Sequence, residues 1–247
     1  LRRMMAELMG KATGYCNGKG GSMHICDLDL NMLGANGIVG GGIPIAVGAG
    51  FANAYRSDGR VSVVFFGDGA TNIGAFHEAA NMAAALRLPV VFVCENNEYA
   101  EYTPREQTMA ITDVVERAAA YGMPGSIVDG MDAVAIYESA TEALERARRG
   151  EGPTFLECKT YRYYNHHGVQ TLGAKYRSNE EVENARLRDP IDRHEKRLIE
   201  GGVMTAEGLQ AVREQIQEEV DDAVQFGENS PMPDPATLLD DVYSVPK

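Results

Sequence analysis

The sequence holds no apolar run long enough to span a bilayer; its longest runs are short and broken by glycine, so no membrane partner is expected. Basic residues are scarce beside acidic ones. Lys and Arg number 23 against 36 Asp and Glu, and the net charge of −13 argues against nucleic acid as the main partner while suiting a basic protein surface. Cysteine is sparse: Cys16, Cys26, Cys94 and Cys158 include no C-x-x-C spacing. Cys94 and Cys158 end apolar runs, so buried thiols in a reducing, cytoplasmic setting are expected rather than disulfides or zinc ligands. No internal repeat, low-complexity segment or targeting peptide is visible, and Leu1 stands inside a helical stretch with no initiator Met.

What is present points to one large α/β domain or a domain with an appendage: 247 residues, 44% of them hydrophobic, supply a sizeable core. The chain is organised around residues 61–99. Residues 61–66 (VSVVFF) form a short apolar, β-branched run that reads as a buried strand. Gly67-Asp68-Gly69 ends it, residues 75–86 have helix-forming composition, and Pro89 stops that helix before a second buried strand at residues 90–94. Strand, helix, strand implies a crossover between parallel strands. Gly67-Asp68-Gly69 and Asn96-Asn97 then share one edge of the sheet, where open α/β sheets bind ligands.

The chemistry of that edge follows from residue type. Glycines let a phosphate approach a turn closely, yet Asp68 between them would repel a bare phosphate. A divalent cation resolves the conflict, because Asp68 and Asn97 offer hard oxygen ligands suited to magnesium. A dinucleotide loop is not supported, since G-x-G-x-x-G is absent: Gly69 is followed by Ala70-Thr71-Asn72. Gly18-Lys19-Gly20-Gly21 is no P-loop, lacking Ser or Thr after Lys19 and a preceding strand.

Along the rest of the chain, residues 1–9 have helical composition, and a glycine-rich stretch at 34–50 leads into a helix at 45–55. Residues 114–121 read as a helix, 125–128 as a strand, 131–148 as an amphipathic helix and 154–159 (TFLECK) as a strand. Such alternation supports a parallel sheet covered by helices on both faces. Residues 160–178 (TYRYYNHHGVQTLGAKYRS) are too polar and aromatic for core, and loops of this length are often functional. Ser178-x-x-Glu181 is a capping-box pattern. Helices at 190–200 and 205–226 follow. The organisation expected is a ligand-binding domain over 1–178 and a helical C-terminal extension over 179–247.

Gly67-Asp68-Gly69 and Asn96-Asn97, with 26 residues between Gly69 and Asn96, resemble the thiamine diphosphate motif. Residues 4–247 resemble the alpha chain of the thiamine-dependent 2-oxo acid dehydrogenase first component, of the pyruvate and acetoin dehydrogenase type. The segments that carry the likeness are GKGGSMH, GANGIVGGGIPIAVGAG, FFGDGATNIGAFHEAANMAA, ENNEYAEYTP, VDGMD and TYRYYNHHG, in the family's order.

That resemblance implies thiamine diphosphate and Mg2+ as cofactors. It implies Asp68, Asn97 and the Tyr99 carbonyl as metal ligands, and Gly67, Gly69 and Ala70 at the diphosphate. Gly37 and Val39 would contact the aminopyrimidine, Val39 as a stiff apolar wedge. His24 would lie near the active-site entrance, and a further N-terminal segment is expected. His166 matches the family's Gly-His motif, with Asn165 in place of Gly, and is the expected catalytic residue; it would also touch the cofactor. His167 stands where Ser is frequent, the Ser-Asp-Pro segment is missing, and Ala100 replaces a frequent Gly.

The activity implied is cleavage of a 2-oxo acid or acetoin with acyl transfer to a lipoyl group. The partners implied are a beta subunit, in an α2β2 heterotetramer that supplies the activating Glu, and a lipoyl-bearing acyltransferase component. Two alternatives stand beside this reading. One is another thiamine enzyme, branched-chain or transketolase-like; the other is a non-catalytic diphosphate-binding subunit.

Overall fold

The computed structural model describes residues 1–168, 176–240 and 242. Two compact units divide the chain: Leu1–Gly37 with Gly202–Lys247, and Ile38–Gly201.

The first unit is a helix pair with a glycine-rich loop. Helix α1 (Arg2–Leu8) packs on a long C-terminal helix of the same unit, Ala206–Asn229, and Arg2 pairs with Asp222 through two bonds of 2.5 and 2.7 Å. The loop after α1 closes around Glu7, which is fully buried. Its Oε2 accepts from the main-chain amides of Cys16 and Gly18, and its Oε1 from those of Gly20 and Gly21, at 2.7–3.1 Å. Gly14 has no room for a side chain, since a Cβ there would sit 2.2 Å from Glu7 Oε2. The glycine-rich segment rejected above as a P-loop therefore does cradle an anion, one supplied by its own chain.

Burial raises the Glu7 pKa, but the four amides outweigh it and hold the carboxyl below the ordinary glutamate range. A depressed folded-state pKa stabilises the fold above the unfolded value, and that contribution is lost as pH falls through the folded value. Glu7→Gln should therefore cost about 1.5–3 kcal/mol at pH 7, the range for bonds to a charged group. The difference should shrink in acid below the ordinary glutamate range. Thermal unfolding of both proteins at neutral and acid pH checks this; an equal loss at both would refute the charged cradle.

The second unit is a four-stranded, all-parallel sheet. Its elements run α2 (Gly42–Arg56), β1 (Ser62–Gly67), α3 (Gly74–Ala85) and β2 (Val90–Asn96). A short antiparallel pair follows, β3 (Tyr99–Ala100) with β4 (Thr103–Pro104), then α4 (Glu116–Ala120), β5 (Gly125–Asp129), α5 (Ala133–Arg148) and β6 (Thr154–Lys159). Helices α6 (Asn179–Arg186) and α7 (Pro190–Glu200) complete it, and the long helix of the first unit is α8. The sheet order is β1-β2-β6-β5. Helices α2, α3 and α4 bury one face around Ile43, Val47, Phe76, Phe92 and Phe155. On the other face α5 covers Val91, Val93, Val128 and Leu156.

Cys94 and Cys158 are buried free thiols, as expected. The reading of β1 as wholly buried is corrected. Ser62, Val64 and Phe66 are buried, but Phe65 is 65% exposed, with Val63 beside it on the same face. The physical reason is that β1 is an outer strand and α5 packs on β2, β5 and β6, stopping short of it. Helix α4 is also shorter than the predicted 114–121. Among the described residues no helix is long and apolar enough to cross a membrane.

Candidate functional site

Strand β1 stops at Gly67, and the chain enters a 3₁₀ turn, Asp68–Asn72. Strands β1 and β2 pair in parallel with Gly67 beside Glu95, so the turn and Asn96-Asn97 share the carboxyl edge of the sheet, as the sequence predicted. Gly69 is required there because β3 closes over it: a Cβ on Gly69 would come 2.7 Å from the Ala100 Cβ.

Asp68 is the anomaly of the edge. It is 1% exposed, and neither carboxylate oxygen has a hydrogen-bond partner. Burial pushes its carboxyl above the ordinary aspartate range. The amides of Asp68 and Asn97, acting from outside hydrogen-bonding geometry, and the charges of Arg105 and Arg162 oppose the shift without prevailing. A buried, unpartnered carboxylate is costly, and a bound cation satisfies it.

Asn97 Oδ1 accepts from the Tyr99 amide at 3.2 Å and keeps a second lone pair for a ligand. Asn96 is buried and structural: its Nδ2 donates to Glu157 Oε1 at 2.7 Å, and its Oδ1 accepts from the Glu98 amide at 3.0 Å. The fully buried Glu157 also accepts from the Val115 amide at 2.7 Å. Among the described residues no three His, Cys, Asp or Glu side chains converge on a metal position. One carboxylate with amide oxygens is an incomplete set, and it suits a cation that arrives with oxygens of its own.

The aromatic loop after β6 leans on the same edge. Arg162 donates to the Glu101 carbonyl at 2.6 Å and to the Tyr176 hydroxyl at 3.1 Å, and its Nη1 lies 3.3 Å from His166 Nδ1. Arginine has only donors, so His166 Nδ1 accepts and Nε2 carries the proton. His167 has different partners, the Tyr102 hydroxyl at 3.2 Å and Glu101 at 3.9 Å. Both histidines are exposed. Arg177 gathers the loop by donating to the carbonyls of Arg162, Tyr163 and Tyr164 and stacking over the Tyr99, Tyr161 and Tyr176 rings.

The capping box at Ser178 is half made. Ser178 Oγ accepts from the Glu181 amide, but Glu181 turns to the Tyr99 and Tyr161 hydroxyls, each at 2.9 Å. Burial and then that bond push Tyr161 up to about 12. Residues 169–175 of the expected loop lie outside the described residues.

The edge thus assembles Gly67, Asp68, Gly69, Ala70, Asn97 and Tyr99, with Arg162 linking Asp68 electrostatically to His166. Val39, next to the first residue of the same unit, Ile38, is 65% exposed. Gly37 belongs to the other unit, where a Cβ on it would meet the His24 ring at 3.3 Å. Sequence reasoning missed Arg105, Arg162, Arg177 and Glu157. Only Glu157 left a usable signal, a charge inside an apolar strand.

This fold and edge define a class. Residues 1–236 match the family described as Dehydrogenase E1 component, and the chain belongs to it. The chain is 50% identical over 242 residues to the alpha subunit of the acetoin:2,6-dichlorophenolindophenol oxidoreductase of Bacillus subtilis (strain 168), covering 97% of this chain and 71% of that one. The subunit of the same name in Cupriavidus necator is 45% identical, over 97% of this chain and 72% of that one. The pyruvate dehydrogenase E1 component subunit alpha of Zymomonas mobilis is 45% identical, over 93% and 64%.

Proposed function

We propose that the β1/β2 edge binds magnesium thiamine diphosphate by its diphosphate end. The observation that carries this reading is the buried Asp68 carboxylate without a partner. In the proposed site Asp68, Asn97 and the Tyr99 carbonyl hold Mg2+, and the backbone of Gly67, Gly69 and Ala70 receives the phosphates. Arg105 and Arg162, whose charges already reach Asp68, add positive potential for an anionic ligand. Gly37 and Val39 remain the proposed aminopyrimidine contacts. When bound, the cofactor supplies a nucleophilic carbon and an electron sink for cleavage beside a carbonyl.

The activity proposed is oxidative cleavage of pyruvate or acetoin with acyl transfer to a lipoyl group. Acetoin is the first substrate to test, given the name of the 50% identical relative. The chain works in the cytoplasm within an α2β2 assembly with a beta subunit and hands its acyl group to a lipoyl-bearing acyltransferase. Residues 179–247 serve as the helical extension of the cofactor domain. Calorimetric titration of the reconstituted subunits with thiamine diphosphate, with and without magnesium, tests the site; no magnesium-dependent heat would overturn it.

His166 carries its proton on Nε2 and donates to charge that develops in the reaction, while Arg162 fixes its ring. His166→Ala should keep cofactor affinity but lower lipoyl acylation by roughly 10- to 1,000-fold, the range for a charge-stabilising or proton-transferring group. His167→Ala should be milder, because His167 is tied to Tyr102 and Glu101. Equal losses in the two variants would mean that both histidines only order the loop.

A further inference from the structure

The 3₁₀ turn that carries Asp68 is held from behind by one guanidinium. Arg117, on α4, donates through Nη1 to the Thr71 carbonyl at 2.5 Å and through Nη2 to Asn72 Oδ1 at 2.6 Å. Thr71 is fully buried, and its hydroxyl donates to the Asp68 carbonyl at 2.7 Å. The chain of contacts therefore runs Arg117, Thr71, Asp68. A five-residue 3₁₀ turn cannot satisfy its last carbonyls internally, and an outside donor fixes where they point.

The guanidinium is itself oriented. Its Nη1 lies 3.2 Å from His77 Nε2 on α3, and His77 Nδ1 contacts the Tyr121 hydroxyl just after α4. Arginine offers only donors, so Nε2 must be bare and the His77 proton sits on Nδ1, facing the Tyr121 oxygen. Arg117 and Tyr121 are the charged and titratable groups that face His77. One arginine thus pins α3, α4 and the turn together, and a cation at His77 would push it away.

We propose that Arg117 is a positioning residue of the cofactor turn and that neutral His77 orients it through Nε2. The clamp's role in cofactor binding rests on the thiamine diphosphate reading above; the clamp as a mechanical device does not. Its fork geometry matters, not its charge alone, because a lysine ammonium cannot serve Thr71, Asn72 and His77 as a planar fork does.

Amide hydrogen exchange of the chain without cofactor tests the device. Arg117→Lys and His77→Lys should speed exchange in residues 68–73 by at least about 10-fold while β1 and β2 stay protected. His77→Gln retains an acceptor for Arg117 and should leave the turn within about threefold of wild type. Magnesium thiamine diphosphate affinity of the reconstituted subunits should fall by about 10- to 100-fold in the two lysine variants, as for an outer-sphere support of a metal site. Unchanged turn exchange in Arg117→Lys would overturn the proposal. Faster exchange spread evenly over strands and turn would overturn it too, because Arg117 would then serve the fold at large. If the wild-type subunits do not bind magnesium thiamine diphosphate, the cofactor reading fails, and exchange in the turn still decides the clamp.

Discussion

Asp68→Asn should abolish magnesium-dependent thiamine diphosphate binding and, at the same time, make the cofactor-free chain more stable. The two effects share one cause. Asp68 is buried with both oxygens unpartnered, so it is an asset only when a cation is present. Removing the charged ligand should weaken binding by more than about 100-fold, since even the outer-sphere partners of a metal are worth about 10- to 100-fold. Without cofactor, a neutral amide is cheaper to bury than an unpaired carboxylate, so the variant should unfold at the higher temperature. The sign with pH follows from the raised pKa. Stability is full below the unfolded aspartate value and is lost as pH rises through the folded one, so the variant's advantage is present at pH 7 and vanishes in acid. Calorimetry and thermal unfolding together read both effects. Undiminished binding, or a cofactor-free variant less stable than wild type at neutral pH, would remove Asp68 from the metal.

The second large effect is the absence of turnover by this chain alone. In the proposed split site this chain contributes the diphosphate end, and the carboxylate that activates the cofactor belongs to the beta subunit. Proton transfer by a positioned group contributes about 10²–10⁴ in rate, so saturating thiamine diphosphate and magnesium should not restore acetoin or 2-oxo acid oxidation to the single chain. Adding the beta subunit should. Oxidation by the purified chain, with contaminating partner excluded by mass spectrometry, would show that the activating group lies within it.

The legible parts of the molecule are those where local chemistry and connectivity agree. The apolar runs before Gly67 and after Pro89 gave β1 and β2 within a residue or two, and their parallel order put Asp68 and Asn97 at one edge. The rest depends on tertiary neighbours that no spacing encodes. That Glu157 is tied to Asn96 and the Val115 amide depends on how β2, β6 and the segment before α4 meet. Arg105 and Arg162 matter to Asp68 only through space. Glu181 satisfies the capping pattern in sequence, yet two tyrosine hydroxyls from distant segments draw its carboxylate away. The exposed face of β1 escaped notice because an apolar run shows that a strand can be buried, not that a helix reaches it.

The Glu7 cradle has a consequence for concentration. A glycine-rich loop that collects backbone amides would ordinarily answer to whatever anion the solvent provides. Here the anion is tethered 9 to 14 residues from the amides it meets. Such short tethers hold effective concentrations on the order of millimolar, and the fold of α1 raises that further by aiming the carboxylate. Free phosphate or a nucleotide in the surrounding solution competes with a ligand that never dilutes and never leaves. The loop is thereby insulated from the phosphate and nucleotide levels around it.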